Sequence, residues 1–342
     1  MKKQKIKKST SFRFLFLFLC VSLSFFPGCG RKDTILKEAE SPGPSSAPLS
    51  EENTFHDFNI LTCLRKFDDR WFLVDCYHNQ ILYSDTLEAP PEEWKVMTRE
   101  IAHGHTVDTD GQVYLADDTE NNRVLVFVEQ DNGFVLSGIF NDIGILPHYV
   151  VYDAPSDRFY VLSSMTGELY VFRHIRAEDD KTGEESASGR VVLEKILSVP
   201  ELNGCYVRSF TIEGEEVYFV SGNQMIIEAR LSDLKILRRY PVSREISGMV
   251  QLEKIEDFYY ITISTDADFN QEYATMIRVK ELSDLSENRY EDIYGYFAGG
   301  GTPYFIGHAD GHYYLTEHRL PEHNLWQFDV EDNEITHVIS LH

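Results

Sequence analysis

Two histidines are the side chains in this sequence best suited to binding a metal ion or a polar ligand. His105 and His148 each lie near the beginning of an apolar run. Two neutral imidazoles with a nearby carboxylate form a reasonable ligand set for zinc or another divalent ion of the first transition row. In the alternative interpretation, each histidine hydrogen bonds to buried backbone groups or to a water in a channel. The sequence leaves both interpretations open.

Arginine, tyrosine and aspartate residues extend this candidate site. Arg208 and Tyr304 lie near the beginning of two further apolar runs, and Asp117 and Asp118 open the acidic loop DDTE. Carboxylate oxygens bind calcium, but this loop lacks the EF-hand spacing, and aspartate in a loop also hydrogen bonds to the backbone. The predicted ligand-binding residues are His105, His148, Arg208, Tyr304, Asp117 and Asp118, with zinc or calcium as candidate metals and His105 and His148 as metal ligands.

The elements that would position these side chains form a repeat. Six segments share the order of strand, tight turn, strand, polar loop and strand: 62–83, 104–127, 147–172, 208–231, 247–279 and 302–328. A fourth apolar run follows each of them: 94–101, 134–140, 191–199, 234–242, 290–297 and 335–341. Four antiparallel strands at a period of roughly 40–50 residues are typical of propeller blades, which stack because one blade cannot bury both apolar faces alone. We therefore predict an all-β, six-bladed β-propeller over residues 54–342, rather than a sandwich.

In such a ring the innermost strands begin around the axis on one face, so their first residues converge there. That places His105, His148 and Tyr304 around one mouth, with Arg208 one or two positions outward and the aromatic residues Tyr149, Tyr206 and Phe305 lining or flanking it. A polar, acidic insertion at 174–190 interrupts the period and is expected to be a solvated loop.

The second repeat resembles the NHL repeat in its Asp-Gly turn, its Val-Tyr-Leu-Ala-Asp strand and its Asn-Asn-Arg-Val loop, within residues 104–127. The chain as a whole is similar to six-bladed propellers of the NHL or TolB-like type. This resemblance implies the fold but not the activity, because such rings include binding modules, lyases, lactonases and scaffolds. The favoured hypothesis is binding of a carbohydrate, a peptide or an envelope protein at the axial face. The alternative is a metal-assisted lyase or lactonase that uses His105 and His148.

Motifs of the common enzyme classes are missing from the chain. There is no G-x-S-x-G, no H-E-x-x-H and no dinucleotide-binding G-x-G-x-x-G. Catalytic residues therefore cannot be named, and a binding function is favoured over an enzymatic one.

The N-terminus predicts export. A basic start, MKKQKIKK, precedes an apolar run at 12–26 and then Gly28-Cys29. This order resembles the signal of bacterial lipoproteins, which implies a signal peptide over 1–28 and a lipid on Cys29. A plain secretory signal and a retained membrane helix are the alternatives, although the run is shorter than the roughly 20 residues that a span needs. Residues 29–53 are rich in Ser, Pro and Glu and predict a flexible tether. The expected location is extracytoplasmic, on a bacterial membrane.

Net charge and cysteine content further restrict the partners and the stabilising cross-links that the sequence allows. The formal net charge is -24 and there is no basic stripe, so nucleic acid is excluded as a partner. Of five cysteines, Cys63, Cys76 and Cys205 would remain in the propeller, where we expect free thiols rather than a disulfide framework. The oligomeric state stays open.

Overall fold

The computed structural model describes residues 37–42, 51–131, 133–176, 189–319 and 323–342. These residues belong to one compact unit, Thr34–His342. The predicted signal peptide over 1–28, the lipidation site at Cys29 and most of the insertion at 174–190 lie outside the described residues.

The described chain is an all-β, six-bladed propeller with four antiparallel strands in every blade. Strand β1 (Lys37–Glu38) precedes the blades. Blade 1 contains β2 (Leu61–Phe67), β3 (Arg70–Asp75), β4 (Gln80–Ser84) and β5 (Lys95–Thr98). Blade 2 contains β6 (Val107–Thr109), β7 (Val113–Asp118), β8 (Arg123–Gln130) and β9 (Gly133–Phe140). Blade 3 contains β10 (Pro147–Asp153), β11 (Arg158–Ser163), β12 (Glu168–His174) and β13 (Val191–Ser198).

The second half of the chain repeats this arrangement. Blade 4 contains β14 (Val207–Glu213), β15 (Glu216–Ser221), β16 (Met225–Arg230) and β17 (Ile236–Pro241). Blade 5 contains β18 (Gly248–Ile255), β19 (Phe258–Thr265), β20 (Thr275–Val279) and β21 (Glu291–Asp292). Blade 6 contains β22 (Thr302–Ala309), β23 (His312–His318), β24 (Leu325–Glu331) and β25 (Glu334–Ser340).

Helical structure in the described residues is limited to single 3₁₀ turns and one slightly longer 3₁₀ helix. They are Cys76–His78, Pro91–Glu93, Pro200–Leu202, Arg244–Ile246, Gln271–Tyr273, Leu282–Glu287 and Tyr294–Tyr296. None of the helices in the described ranges is long and apolar enough to cross a membrane.

The prediction of a six-bladed, all-β ring is confirmed, and the middle strands show its physical basis. Both faces of β7 are buried, as are both faces of β4, because each blade is covered by a neighbour on either side. Short runs of β-branched and aromatic residues therefore suit these positions. The outer strand of blade 5 is shorter than the predicted run over 290–297, because the Asp292 carboxylate accepts a hydrogen bond from the Tyr294 amide and the chain turns there into a 3₁₀ helix.

The ring is closed by contact between β2 of blade 1 and β22 of blade 6. Side chains join neighbouring blades elsewhere around the axis. The Thr106 hydroxyl accepts a hydrogen bond from the Val150 amide, and Ser209 Oγ donates to the Val250 carbonyl 2.7 Å away. Each such bond satisfies a buried backbone group at a blade interface.

The segment that precedes blade 1 lies against the outside of the ring. In β1, Lys37 pairs with Leu193 and Glu38 pairs with Val192, while Glu40 forms a bridge to Ile139. Gly138 makes room for this segment, because a Cβ there would lie 2.6 Å from the Ala39 Cβ. Glu52 forms a further bridge, to Lys95. These residues differ from the expectation of a free tether over 29–53, because hydrogen bonds to three outer strands hold their backbone.

The thiols are free, as expected: Cys63 and Cys76 are buried and Cys205 is half-buried. The core lies between the blades, and its largest cluster contains the aromatic residues Phe72, Tyr114 and Phe134. Each buried Phe side chain of this kind contributes about 1.5–3 kcal/mol to stability.

Candidate functional site

Irregular strand starts direct polar side chains to the axis. The pairing of β10 with β11 shifts register between Pro147 and Tyr149, so His148 occupies a bulge. In blade 4 the same irregularity falls at Arg208, between Val207 and Ser209. In blade 6 it includes Tyr304. A bulge re-aims a side chain that would otherwise alternate with its neighbours, and this explains why these residues meet.

His105 and His148 are stacked on each other. Their ring centroids are 3.7 Å apart and their planes differ by 18°. The sequence therefore correctly indicates that the two imidazoles of neighbouring blades approach each other. Burial and the nearby Arg208 guanidinium lower the pKa of His148 to about 3, and burial together with His148 places the pKa of His105 well below its usual range. Both rings are neutral at physiological pH.

Hydrogen bonds fix the orientation of His148. Its Nδ1 lies 2.8 Å from the Arg208 carbonyl oxygen, so the proton of the neutral ring is on Nδ1 and is donated to that carbonyl. Its Nε2 is 3.2 Å from Tyr206 Oη, and the tyrosine hydroxyl donates to it. Both ring nitrogens of His148 are therefore occupied by protein groups.

The tyrosine of blade 6 joins His105 to a third histidine. Tyr304 Oη lies 3.1 Å from His105 Nδ1, and the Tyr304 ring centroid is 5.9 Å from that of His318. The Nδ1 atom of His318 is buried and has no hydrogen-bond partner among the described residues. Burial, together with the positive charges of Arg319 and Arg208, lowers the pKa of His318 to about 4.

Arg208 is the positive charge of this site. Its guanidinium lies 5.2 Å above the Tyr206 ring and donates to the Ser264 hydroxyl. Among the described residues it has no carboxylate within ion-pair distance, unlike most of the arginines in the structure. We refer to His105, His148, Tyr206, Arg208, Tyr304 and His318 as the axial cluster.

Asp117 does not point into the axial cluster as a free ligand group, which differs from the sequence prediction. Its carboxylate accepts hydrogen bonds from the His105 and Thr106 amides at 2.8 and 2.7 Å, and from the Thr106 and Thr119 hydroxyls at 2.7 and 2.9 Å. Burial raises its pKa to about 6 against the effect of these bonds. Asp117 is thus a positioning residue that holds the backbone of His105.

The Asp118 carboxylate is also occupied by hydrogen bonds to residues of its own loop and its surroundings. It accepts hydrogen bonds from the Ala102 amide at 2.8 Å and from Arg123 Nε at 2.7 Å, and Asn121 donates to both of its oxygens. The structure therefore brings together His105, His148, Arg208 and Tyr304 as predicted and assigns Asp117 and Asp118 to the loop behind them.

The axial cluster does not fit the predicted divalent metal. A metal ion binds an imidazole in the plane of the ring, about 2.0–2.1 Å from its nitrogen. Two nearly parallel rings 3.7 Å apart cannot both present a lone pair to one ion at that distance. Within the described ranges no three His, Cys, Asp or Glu side chains are grouped so that they could hold a metal ion. The expectation of zinc or calcium at His105 and His148 is therefore not supported by these residues.

Sequence reasoning missed the opposite end of the axis. A cavity of about 470 Å³ lies where the innermost strands end, and its walls include Tyr149 and Phe305, which the sequence places at the other mouth. Arg65, Gln251 and Glu253 also line it. The available signal was a charged or amide side chain within an otherwise apolar innermost strand, as in LTCLRKF and GMVQLEKI.

Comparisons with known proteins agree with the fold. The model of the NHL repeat family matches residues 101–127. No curated protein shows significant similarity to the chain. A provisionally assigned 6-phosphogluconolactonase from Bacteroides uniformis is 12% identical over 80% of this chain and 82% of its own, with a TM-score of 0.54. A second protein so assigned, from Bacteroides fragilis, is 10% identical over 78% and 79%, with a TM-score of 0.52.

A solved structure of another kind shows the same fold. Hydrazine synthase of Kuenenia stuttgartiensis is 11% identical over 81% of this chain and 79% of its own, with a TM-score of 0.51. At these identities the similarities show the propeller fold alone.

Proposed function

We propose that this chain is a lipid-anchored protein of the bacterial cell envelope whose propeller binds a small anionic ligand at the axial cluster. The anchor rests on the N-terminal sequence, where a basic and then apolar segment ends at Gly28-Cys29. The binding function rests on the axial cluster.

The observation that carries the proposal is the charge of Arg208. The Arg208 guanidinium is half-buried and has no carboxylate partner in the described part of the chain, although the net charge of the protein is -24. Burying such a charge costs free energy unless an anion pairs with it. The imidazoles and tyrosine hydroxyls around it are neutral and do not cancel its charge. Arg319, next to His318, also forms no ion pair within the described residues and adds to the positive potential.

The geometry favours binding over catalysis. A general base works best when its pKa is near the operating pH, whereas His148 and His318 have pKa values of about 3 and 4. Such imidazoles remain unprotonated but are weak bases. The tyrosine rings beside them suit the face of a sugar.

We therefore favour an acidic carbohydrate as the ligand, because its carboxylate would form an ion pair with the Arg208 guanidinium. The test compares glucuronate with glucose, since the two differ in the carboxylate, by calorimetric titration of the wild-type protein. Charge-assisted hydrogen bonds contribute about 1.5–3 kcal/mol, so glucuronate should bind roughly 10–100 times more tightly.

Arg208→Gln should remove this preference, and Arg238→Gln is the matched control because Arg238 is exposed on the outer strand of the same blade. Equal binding of the two sugars, or an unchanged preference in Arg208→Gln, would contradict the proposal. The lactonase alternative predicts turnover instead. Hydrolysis of 6-phosphogluconolactone that is lost in Arg208→Gln would replace binding with catalysis as the function of the cluster.

A further inference from the structure

A second site lies at the end of the axis opposite the axial cluster. The cavity there has a volume of about 470 Å³ and is bordered by the last residues of the innermost strands of five blades. Ala154, Pro155 and His308 at its rim are exposed, so the cavity is open to small molecules. Its volume lies within the usual range for ligand-binding pockets.

The positive charges of the cavity are already neutralised. Arg65 is ion-paired with Asp108 and also donates to the Val150 carbonyl. Lys66 Nζ lies 2.7 Å from an Asp310 carboxylate oxygen. Neither cation therefore needs an anionic ligand.

Two carboxyl groups of the cavity have no hydrogen-bond or ion-pair partner among the described residues. Glu213 ends β14 and Glu253 lies in β18, on neighbouring blades. In the described structure neither side chain forms a hydrogen bond or an ion pair, although Lys254 acts on Glu213 electrostatically. Burial and, to a smaller extent, the charge of Glu213 raise the pKa of Glu253 to about 8, against the attraction of the Arg65 guanidinium. Because Arg65 is already paired with Asp108, it does not supply Glu253 with the full counter-charge that would make the ionised form favourable.

The rest of the wall is aromatic. Tyr149, Phe210 and Phe305 line the cavity, and the Tyr149 and Phe210 rings are 5.6 Å apart in an edge-to-face arrangement. Gln251 fixes this wall, because its amide donates to Tyr149 Oη at 3.3 Å and to the Ile306 carbonyl at 3.1 Å. Aromatic faces bind apolar groups and also attract cations.

We propose that this cavity binds an organic cation whose ammonium or guanidinium group lies between Glu213 and Glu253 and whose apolar part packs against Tyr149, Phe210 and Phe305. The net charge of -24 favours the approach of a cation. This site is independent of the anion-binding function proposed for the axial cluster.

The test uses phenethylamine and its uncharged analogue 2-phenylethanol, which differ in the ammonium group. Calorimetric titration of the full-length protein should show saturable binding of phenethylamine and at least about tenfold weaker binding of the alcohol. Glu253→Gln and Glu213→Gln should each weaken phenethylamine binding about tenfold or more. Glu334→Gln, on the exposed outer strand of blade 6, makes the same change of charge far from the cavity and should leave binding unchanged.

Three results would overturn the inference: equal binding of amine and alcohol, undiminished binding in both cavity variants, or no saturable binding of either phenethylamine or phenylguanidine. Thermal melting of each variant distinguishes lost binding from lost folding. A free amine and the lysine of a partner protein share the same chemistry. Titration with acetyl-Phe-Lys-amide separates them, since tighter binding of the dipeptide than of phenethylamine would identify a protein partner.

Discussion

Replacement of Glu253 by glutamine should stabilise the protein, and by an amount that grows with pH. Glu253 has an ordinary pKa of 4.5 in an unfolded chain and a pKa of about 8 in the fold, chiefly because it is buried and secondarily because Glu213 repels its negative charge. The folded protein therefore holds a proton on Glu253 that the unfolded chain releases. The stability associated with this proton is complete below pH 4.5 and is lost as the pH rises towards 8.

The magnitude follows from the two pKa values. Each pKa unit corresponds to about 1.4 kcal/mol, so Glu253 lowers the free energy of unfolding by about 3 kcal/mol at pH 7 and by up to about 5 kcal/mol above pH 8. The side chain is half-buried at the cavity wall, so these figures are upper limits. Glutamine keeps the shape of the side chain and removes the titration.

Urea denaturation of wild-type protein and Glu253→Gln at pH 4, 7 and 9 measures the effect. The difference between the two proteins cancels other titrating groups, such as Asp117 with its pKa of about 6. We expect a negligible difference at pH 4 and a variant that is increasingly the more stable protein at pH 7 and 9. A difference that is constant with pH, or a variant that is less stable at pH 9, would refute the reasoning.

Three further predictions concern the anchor, the ring and the axial cluster. Cys29→Ala should release the protein from the membrane fraction with its propeller folded, and a variant that is still labelled by lipid would remove the lipoprotein proposal. Deletion from Thr302 onward removes blade 6 and exposes two blade faces, so we expect an insoluble or molten product; a cooperative unfolding transition of the truncated chain would argue against a closed ring. His148→Ala should destabilise the fold by about 1–3 kcal/mol, because it leaves the Arg208 carbonyl without its donor. His105→Ala should cost about half as much or less, since one ring nitrogen of His105 contacts a tyrosine hydroxyl, and equal losses in thermal and urea unfolding of the two variants would contradict this difference.

The fold could be predicted from the sequence because blades repeat a local pattern. The second strand of every predicted repeat, such as the one around Tyr114, is a buried middle strand in the structure. Because the pattern occurs six times, the clear copies show where the strands of a weak copy lie. Even the weak copy at 247–279 is therefore identified as a blade. The topology then follows from the stacking of blades.

The axial site could be predicted only in part. The convergence of His105, His148 and Tyr304, with Arg208 just outward of them, follows from the ring alone. Their orientation does not, because it depends on bulges at His148 and Arg208 that leave no clear mark in the sequence. The predicted metal site presupposed converging lone pairs, whereas the two imidazoles are stacked.

The opposite cavity could not be predicted, because a charged residue in an inner strand can either form an ion pair within the protein or remain available to a ligand. Arg65 is neutralised by Asp108, whereas Glu253 forms no ion pair within the described part of the chain, and no local pattern distinguishes the two residues. The backbone pairing of Lys37 and Glu38 escaped prediction for a related reason. A two-residue strand in a polar segment derives its stability from the outer strand it meets, not from its own composition.

The segment around β1 affects whether molecules of this protein associate with one another through the outer strands of their blades. Outer strands of propeller blades carry unpaired backbone groups, and an open strand with apolar residues is a template for joining another chain. The three outer strands that β1, Glu40 and Glu52 pair with are β13, β9 and β5, whose sequences VVLEKILS, GFVLSGIF and KVMT are rich in apolar residues.

The outer strands of the other blades differ in kind. Strand β17 carries Arg238, Arg239 and Pro241, β21 is two residues long, and β25 carries Glu334 and His337. Charge, proline and brevity are the usual protections of an open strand. The N-terminal segment thus covers part of three outer strands that have neither proline nor a two-residue length, and a chain that begins at Thr54 should associate with itself through blades 1 to 3 more readily than the longer chain does.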